Sequence, residues 1–125
     1  MTNRKLSLAL LATICLAACS SPSHLETKLL GKWQSEAGLD KAGRQTASKY
    51  QFEFFAEGSV VNDENINGHW LQMNTGSFKF IDQTHMKIDY RDGSPIYEVA
   101  WLDNDHVSLR TGDTIMRLVR LKDQR

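Results

Sequence analysis

Cysteine is nearly absent from this 125-residue chain: its two, Cys15 and Cys19, both stand near the N-terminus. Everything beyond residue 19 must therefore fold without an internal disulfide and be stabilised by packing. Long apolar runs are also missing. The longest, Leu6 to Ala18, is broken by Ser7 and Thr13 and falls short of the roughly 20 residues a helix needs to cross about 30 Å of hydrocarbon. Neither sign of charge dominates, with 15 Lys and Arg against 15 Asp and Glu. Phosphate binding needs concentrated Lys and Arg, so the lack of a basic cluster argues against nucleic acid as a partner. No Gly-x-Ser-x-Gly elbow, His-Glu-x-x-His pair or phosphate-cradling glycine loop occurs. No catalytic residue, cofactor or metal is expected.

The N-terminus supplies the most specific signal. Arg4 and Lys5 form a basic head, Leu6 to Ala18 an apolar run, and Cys19 opens the polar stretch Ser20-Ser21-Pro22-Ser23. This is signal-peptide anatomy. Leu16-Ala17-Ala18-Cys19 resembles the lipobox of bacterial lipoproteins. The resemblance implies that the Cys19 thiol receives a diacylglycerol, that cleavage follows Ala18, and that the freed amine is often acylated as well. One acyl chain binds a membrane only marginally, at about 0.8 kcal/mol per buried methylene, whereas two or three hold the protein firmly. In such lipoproteins of Gram-negative bacteria an aspartate after the cysteine signals inner-membrane retention. Here Ser20 follows, which implies the outer membrane, with the protein facing the periplasm. The chain then divides into a signal peptide (1–18), a lipidated polar tether (19–28) and one domain (29–125). Loss of Arg4 and Lys5 with the leader leaves that domain close to neutral.

Leu25, Leu29 and Leu30 sit at helical spacing and predict one short helical turn before Gly31. Beyond it the periodicity is two. Tyr50, Phe52 and Phe54 alternate with Gln51 and Glu53; Phe78 and Phe80 bracket Lys79; Met86, Ile88 and Tyr90 alternate with Lys87 and Asp89; Tyr97, Val99 and Trp101 take every second place. Val107 with Leu109 and Met116 with Leu118 continue the pattern, which gives each strand one face toward a core. Strands are expected near 32–36, 48–56, 58–63, 68–73, 76–81, 84–90, 95–102, 105–111 and 114–121, some pairs being a single bent strand. Glu57-Gly58, Asn67-Gly68, Asp92-Gly93, Asp103-Asn104-Asp105 and Gly112-Asp113 favour tight reversals between them. The segment Ala37 to Ala47 lacks periodicity and reads as a mobile loop. The fold class is therefore all-β: an antiparallel up-and-down meander of seven to nine short strands, curled into a barrel that removes its edges.

Gly31-Lys32-Trp33 after a helical turn, Tyr50 to Phe55 followed by Glu57-Gly58-Ser59, Gly76 to Ile81, and the closing Leu118-Val119-Arg120-Leu121 resemble the small lipocalin-like domains of bacterial lipoproteins. In that family the tryptophan of Gly-x-Trp closes one barrel end and an arginine on the last strand packs across it. The resemblance assigns these roles to Gly31, Trp33 and Arg120, a cation–π pair. The chain is shorter than true lipocalins and lacks their disulfides, and eight short strands can be filled by their own side chains.

Asp63-Glu64-Asn65-Ile66-Asn67-Gly68 matches the opening of a calcium loop, but Asn74 stands where the bidentate carboxylate belongs; a polar hairpin ending in Asn-Gly explains the same residues. His69, His85 and His106 have no second ligand at a diagnostic spacing, and convergence of these with Asp103 and Asp105 in one cavity would be needed to revive catalysis. Phe55, Phe78, Tyr97 and Trp101, with Trp70, either line an apolar pocket or form the core. The expected function is a non-catalytic, membrane-anchored binding module for an apolar small molecule. The alternative is an envelope protein-interaction or structural module with a filled barrel.

Overall fold

The computed structural model describes residues 24–37, 42–43 and 47–122. The signal peptide expected over residues 1–18, the lipidation expected at Cys19 and most of the loop expected over Ala37 to Ala47 lie outside the described residues. No described helix is long and apolar enough to cross a membrane.

The chain enters with a six-residue helix, α1 (His24–Leu29), which carries Glu26 in its first turn and Lys28 in its last. Both charges suit the helix dipole. Gly31, at φ 117°, breaks the helical path in a conformation that suits glycine, and the chain passes directly into β1 (Gly31–Ser35). Seven more strands follow among the described residues: β2 (Tyr50–Phe54), β3 (Ser59–Ile66), β4 (His69–Phe80), β5 (His85–Tyr90), β6 (Ile96–Asp103), β7 (His106–Thr111) and β8 (Thr114–Arg120). Each pairs antiparallel with the next, and β8 returns to β1 through Trp33 opposite Arg120, Gln34 opposite Val119 and Ser35 opposite Leu118. The result is a closed eight-stranded barrel in up-and-down order.

The period-two pattern explains the interior. Trp33, Phe52, Phe54, Val60, Phe78, Phe80, Met86, Ile88, Val99, Val107, Leu109 and Leu118 are all buried, and they occupy alternate positions on their strands. Phe54 meets Phe78 edge to face at 4.9 Å and stacks on Phe52 at 6.0 Å, geometries that favour aromatic pairs. Leu29 of the helix is fully buried with them.

One sequence expectation is made definite and one needs correction. The segments near 68–73 and 76–81 are one 12-residue strand, β4, because the register shift between Asn62 and Asp63 leaves Met73 as an extra residue and the ladder continues past it. This is a β-bulge. The strand expected at 58–63 also runs on to Ile66. The β3–β4 hairpin then reverses through Asn67 and Gly68 at φ 55° and 85°, as a two-residue Asn-Gly turn requires. Gly76 allows β4 to close on β5: a Cβ there would overlap the backbone carbonyl of Asp89 and lie 3.1 Å from the Tyr90 ring.

Candidate functional site

The two barrel ends differ. At the end where β1 begins, α1 crosses the lumen. Its last carbonyls, which a helix leaves without internal partners, are taken by side-chain donors: Trp33 Nε1 donates to Leu29 O at 2.8 Å, and Arg120 donates to Lys28 O at 2.9 Å and Leu30 O at 2.7 Å. Arg120 also reaches the β6–β7 turn, donating to Asn104 O at 3.1 Å and pairing with Asp105 at 3.3 Å. Its guanidinium lies 4.3 Å from the Trp33 ring centroid. Trp101 packs edge-on to Trp33 at 5.9 Å, under the Lys28 ammonium at 4.1 Å, and its buried Nε1 has no partner among the described residues. Glu26 accepts the Phe80 N–H at 3.2 Å and so fixes the helix to β4.

The turns on this rim carry two matching Asp-His pairs. Asp82 lies 2.9 Å from His85 Nδ1 and accepts the Thr84 N–H; Asp103 lies 2.8 Å from His106 Nδ1 and accepts the Asp105 N–H. The backbone bond from Thr84, then His85, holds the Asp82 carboxyl below its ordinary value. The His106 bond does the same to Asp103, while Asp103 raises His106. His69 begins β4 at the other end of the barrel. The histidines thus do not converge, and among the described residues no group of three or more His, Cys, Asp and Glu is placed to hold a metal ion. In the segment matched to a calcium loop, Asp63 to Ile66 form ladder pairs with Gln72 to His69.

No described element crosses the opposite end. Tyr50, Tyr90 and Met116 are half-buried there, packed on the core beneath. A hydrogen bond joins Tyr90 to Tyr97, and burial pushes both hydroxyls above their ordinary values. The β3–β4 hairpin, with strands of 8 and 12 residues, reverses at this end. Ladder partners share a face, so Glu64 with Leu71, and Ile66 with His69, continue the inward face that Val60 with Gly76 and Asn62 with Asn74 begin. Leu71 and Ile66 are exposed on that face. Gly31, Lys32, Gln34, Gln51 and Glu53 help to line a groove of about 780 Å³ at β1 and β2. Its side chains are mostly polar, and Gln51 donates to Gln34 while Gln34 donates to Ser48.

The pocket candidates from the sequence are scattered. Tyr97 is buried in the core opposite Met86, bonded to Tyr90; Phe78 is also in the packed core, Trp101 at the sealed end, and Phe55 just beyond β2 in the sealed-end turn that closes with Phe55 N–H to Ser59 O. Trp70 pairs with Asn65 on the outer face of the hairpin. Nothing in the sequence marks Tyr50, Tyr90, Met116 and Leu71 as mouth residues. All but Leu71 belong to recognisable alternations; the missing signal is height along the barrel axis, which period-two patterning does not carry.

No protein-family model matches this sequence, and no curated protein matches it. Solved structures do share its architecture. A lipocalin-like protein from Bacteroides uniformis superposes with a TM-score of 0.58 at 15% identity, over 75% of this chain and 99% of the other. The fold is lipocalin-like. An uncharacterized protein from Bacteroides eggerthii shares the lipocalin-like barrel with a TM-score of 0.56 and 15% identity, over 74% of this chain and 98% of its own. At that identity the likeness concerns the fold, and a lipocalin-like fold alone does not assign a ligand.

Proposed function

We propose that this protein is a non-catalytic binding module of the cell envelope, lipid-anchored through Cys19 at the periplasmic face of the outer membrane, whose open barrel mouth takes an apolar small molecule. The observation that carries the binding role is the asymmetry of the barrel. Among the described residues one end is sealed by α1, Trp33 and Arg120, whereas at the other no element crosses half-buried Tyr50, Tyr90 and Met116, and the hairpin residues Leu71 and Ile66 stand exposed. A concave, mostly apolar site with a few polar groups is the usual form of a small-molecule pocket. The Tyr90 and Tyr97 hydroxyls and Glu64 supply the polar groups. Glu64 sets a preference: as a carboxylate on the inward face of the hairpin, it favours neutral or cationic apolar ligands over fatty acids.

The test is titration of the protein with N-phenyl-1-naphthylamine, a neutral fluorescent apolar probe, beside the anionic anilinonaphthalene sulfonate. The expected result is saturable binding of the neutral probe, weakened in Met116→Asp and Leu71→Asp, with the anionic probe binding poorly until Glu64→Gln. Failure of the neutral probe to saturate, or binding indifferent to both mouth substitutions, would reject the mouth as the site.

Ile66, Trp70, Leu71 and Met73 are all exposed on the one projecting hairpin, which favours an envelope protein as a second reading, since apolar surface of this kind often marks an interface. A photo-crosslinker at Trp70 in intact cells, yielding a saturable adduct while the neutral probe fails to bind, would select that reading.

A further inference from the structure

We infer that the sealed end of the barrel is a membrane-docking surface, resting on the bilayer that holds the Cys19 acyl chains, so that the open mouth faces away from the lipid. The inference rests on the anchoring reading above and adds an orientation and a set of contact residues to it.

The first argument is reach. The described chain begins at His24, two residues before Glu26, whose carboxylate holds the Phe80 N–H at 3.2 Å. The chain therefore enters at the sealed rim, beside the β4–β5 turn. Four residues separate Cys19 from His24, and the five steps between them, at 3.3 to 3.6 Å each, span at most roughly 18 Å. β4 runs 12 residues from that rim to His69 at the other end, about 40 Å along the strand and roughly 30 Å of height at the tilt of a closed barrel. With the mouth and its hairpin turned toward the bilayer, the tether would be too short for Cys19 to reach the lipid. That orientation is excluded by length alone.

The second argument is surface chemistry, and it chooses between standing on the sealed end and lying on the barrel's side. Ile81 and Leu102 are 56% and 60% exposed. Ile81 opens the β4–β5 turn, and Leu102 stands in the bulge between Trp101 and Asp103, one residue before the β6–β7 turn. Phe55 begins the third turn of the same rim, half-buried. Each hairpin turn on the sealed end thus carries a large apolar residue at or next to its tip. Folding leaves Ile81 and Leu102 in water, whereas a bilayer interface would cover them. Trp101, Lys28 and the helix lie between these tips, and Trp and Lys suit the headgroup region, where an apolar body and a polar end are both accommodated. Glu57, Asp82 and Asp103 occupy the same turns, so the contact is apolar and gains nothing from anionic lipid.

The test uses the acylated protein in phosphatidylcholine vesicles. Since the only other cysteine of the mature chain carries lipid, Ile81→Cys, Leu102→Cys and, at the mouth end, Asp113→Cys can each bear a single environment-sensitive fluorophore. Flotation with the vesicles reports the anchor; quenching by a nitroxide on the lipid headgroup reports the orientation. The expected result is flotation of all three, with quenching several-fold stronger at 81 and 102 than at 113. In Ile81→Asp the label at 102 should lose part of its quenching while flotation is unchanged. Flotation with equal quenching at all three positions, or with 113 quenched most, overturns the orientation and leaves the anchor standing. Failure to float overturns the anchor and the orientation with it.

Discussion

Arg120 lies over Trp33, its guanidinium carbon 4.3 Å from the ring centroid, and the same group donates to two carbonyls at the end of α1 and one in the β6–β7 turn. One side chain thus joins the last strand, the first strand, the helix and a distant turn. The planar fork suits this task; the point charge of a lysine does not.

Arg120→Lys should therefore behave almost like Arg120→Met. Both leave helix-end carbonyls without their donors, and each should cost on the order of 2–4 kcal/mol, combining lost charge-assisted hydrogen bonds with the lost ring contact. Urea unfolding followed by tryptophan fluorescence measures it, and a lysine variant within error of wild type would contradict the role given to the fork.

Gly76 is required by close approach. In Gly76→Ala the new Cβ meets the Asp89 carbonyl, which is backbone and cannot swing aside, so β4 and β5 must separate at a cost of about 1–3 kcal/mol. Gly93→Ala is the control: nothing lies within 4 Å of its Cβ position, and its effect should stay within about 0.5 kcal/mol. The midpoints of urea unfolding for the two variants decide the matter.

The His106–Asp103 pair should make stability depend weakly on pH in a defined direction. Asp103 raises His106 above its ordinary 6.5, so the contribution of the protonated imidazole is complete below the unfolded value and is lost as pH rises through the folded one. Asp103 itself is lowered from 3.8, so its contribution is present above that value and lost as pH falls through the folded one. The pair stabilises most between these limits. Both groups are solvent-exposed, so the NMR titration of His106 is the sensitive measurement. Asp103→Asn should shift its midpoint downward; an unchanged midpoint would contradict the coupling.

Much of this architecture was legible in the residues because period-two patterning is read one strand at a time. Tyr50, Phe52 and Phe54, or Tyr97, Val99 and Trp101, declare their buried face locally, and the Leu25–Leu29 spacing declares the helical turn. β4 was harder. Asn74-Thr75-Gly76 looks like a turn, and the extra residue Met73 reverses the phase of the alternation, so one long strand imitates two. The site was less legible than the fold. Alternation separates inside from outside but not one end of a barrel from the other, so Phe55, Phe78, Tyr97 and Trp101 look equivalent in the sequence, whereas pairing through the whole sheet distributes them between turn, core and seal.

The most direct test of the anchored module is the intact mass of the native protein extracted from cell membranes. A polypeptide beginning at Cys19, heavier than its amino acids by a diacylglycerol and acyl chains, is the expected result, with the added mass absent from Cys19→Ala. An unmodified chain that retains Met1 and is recovered from the soluble fraction would contradict the account.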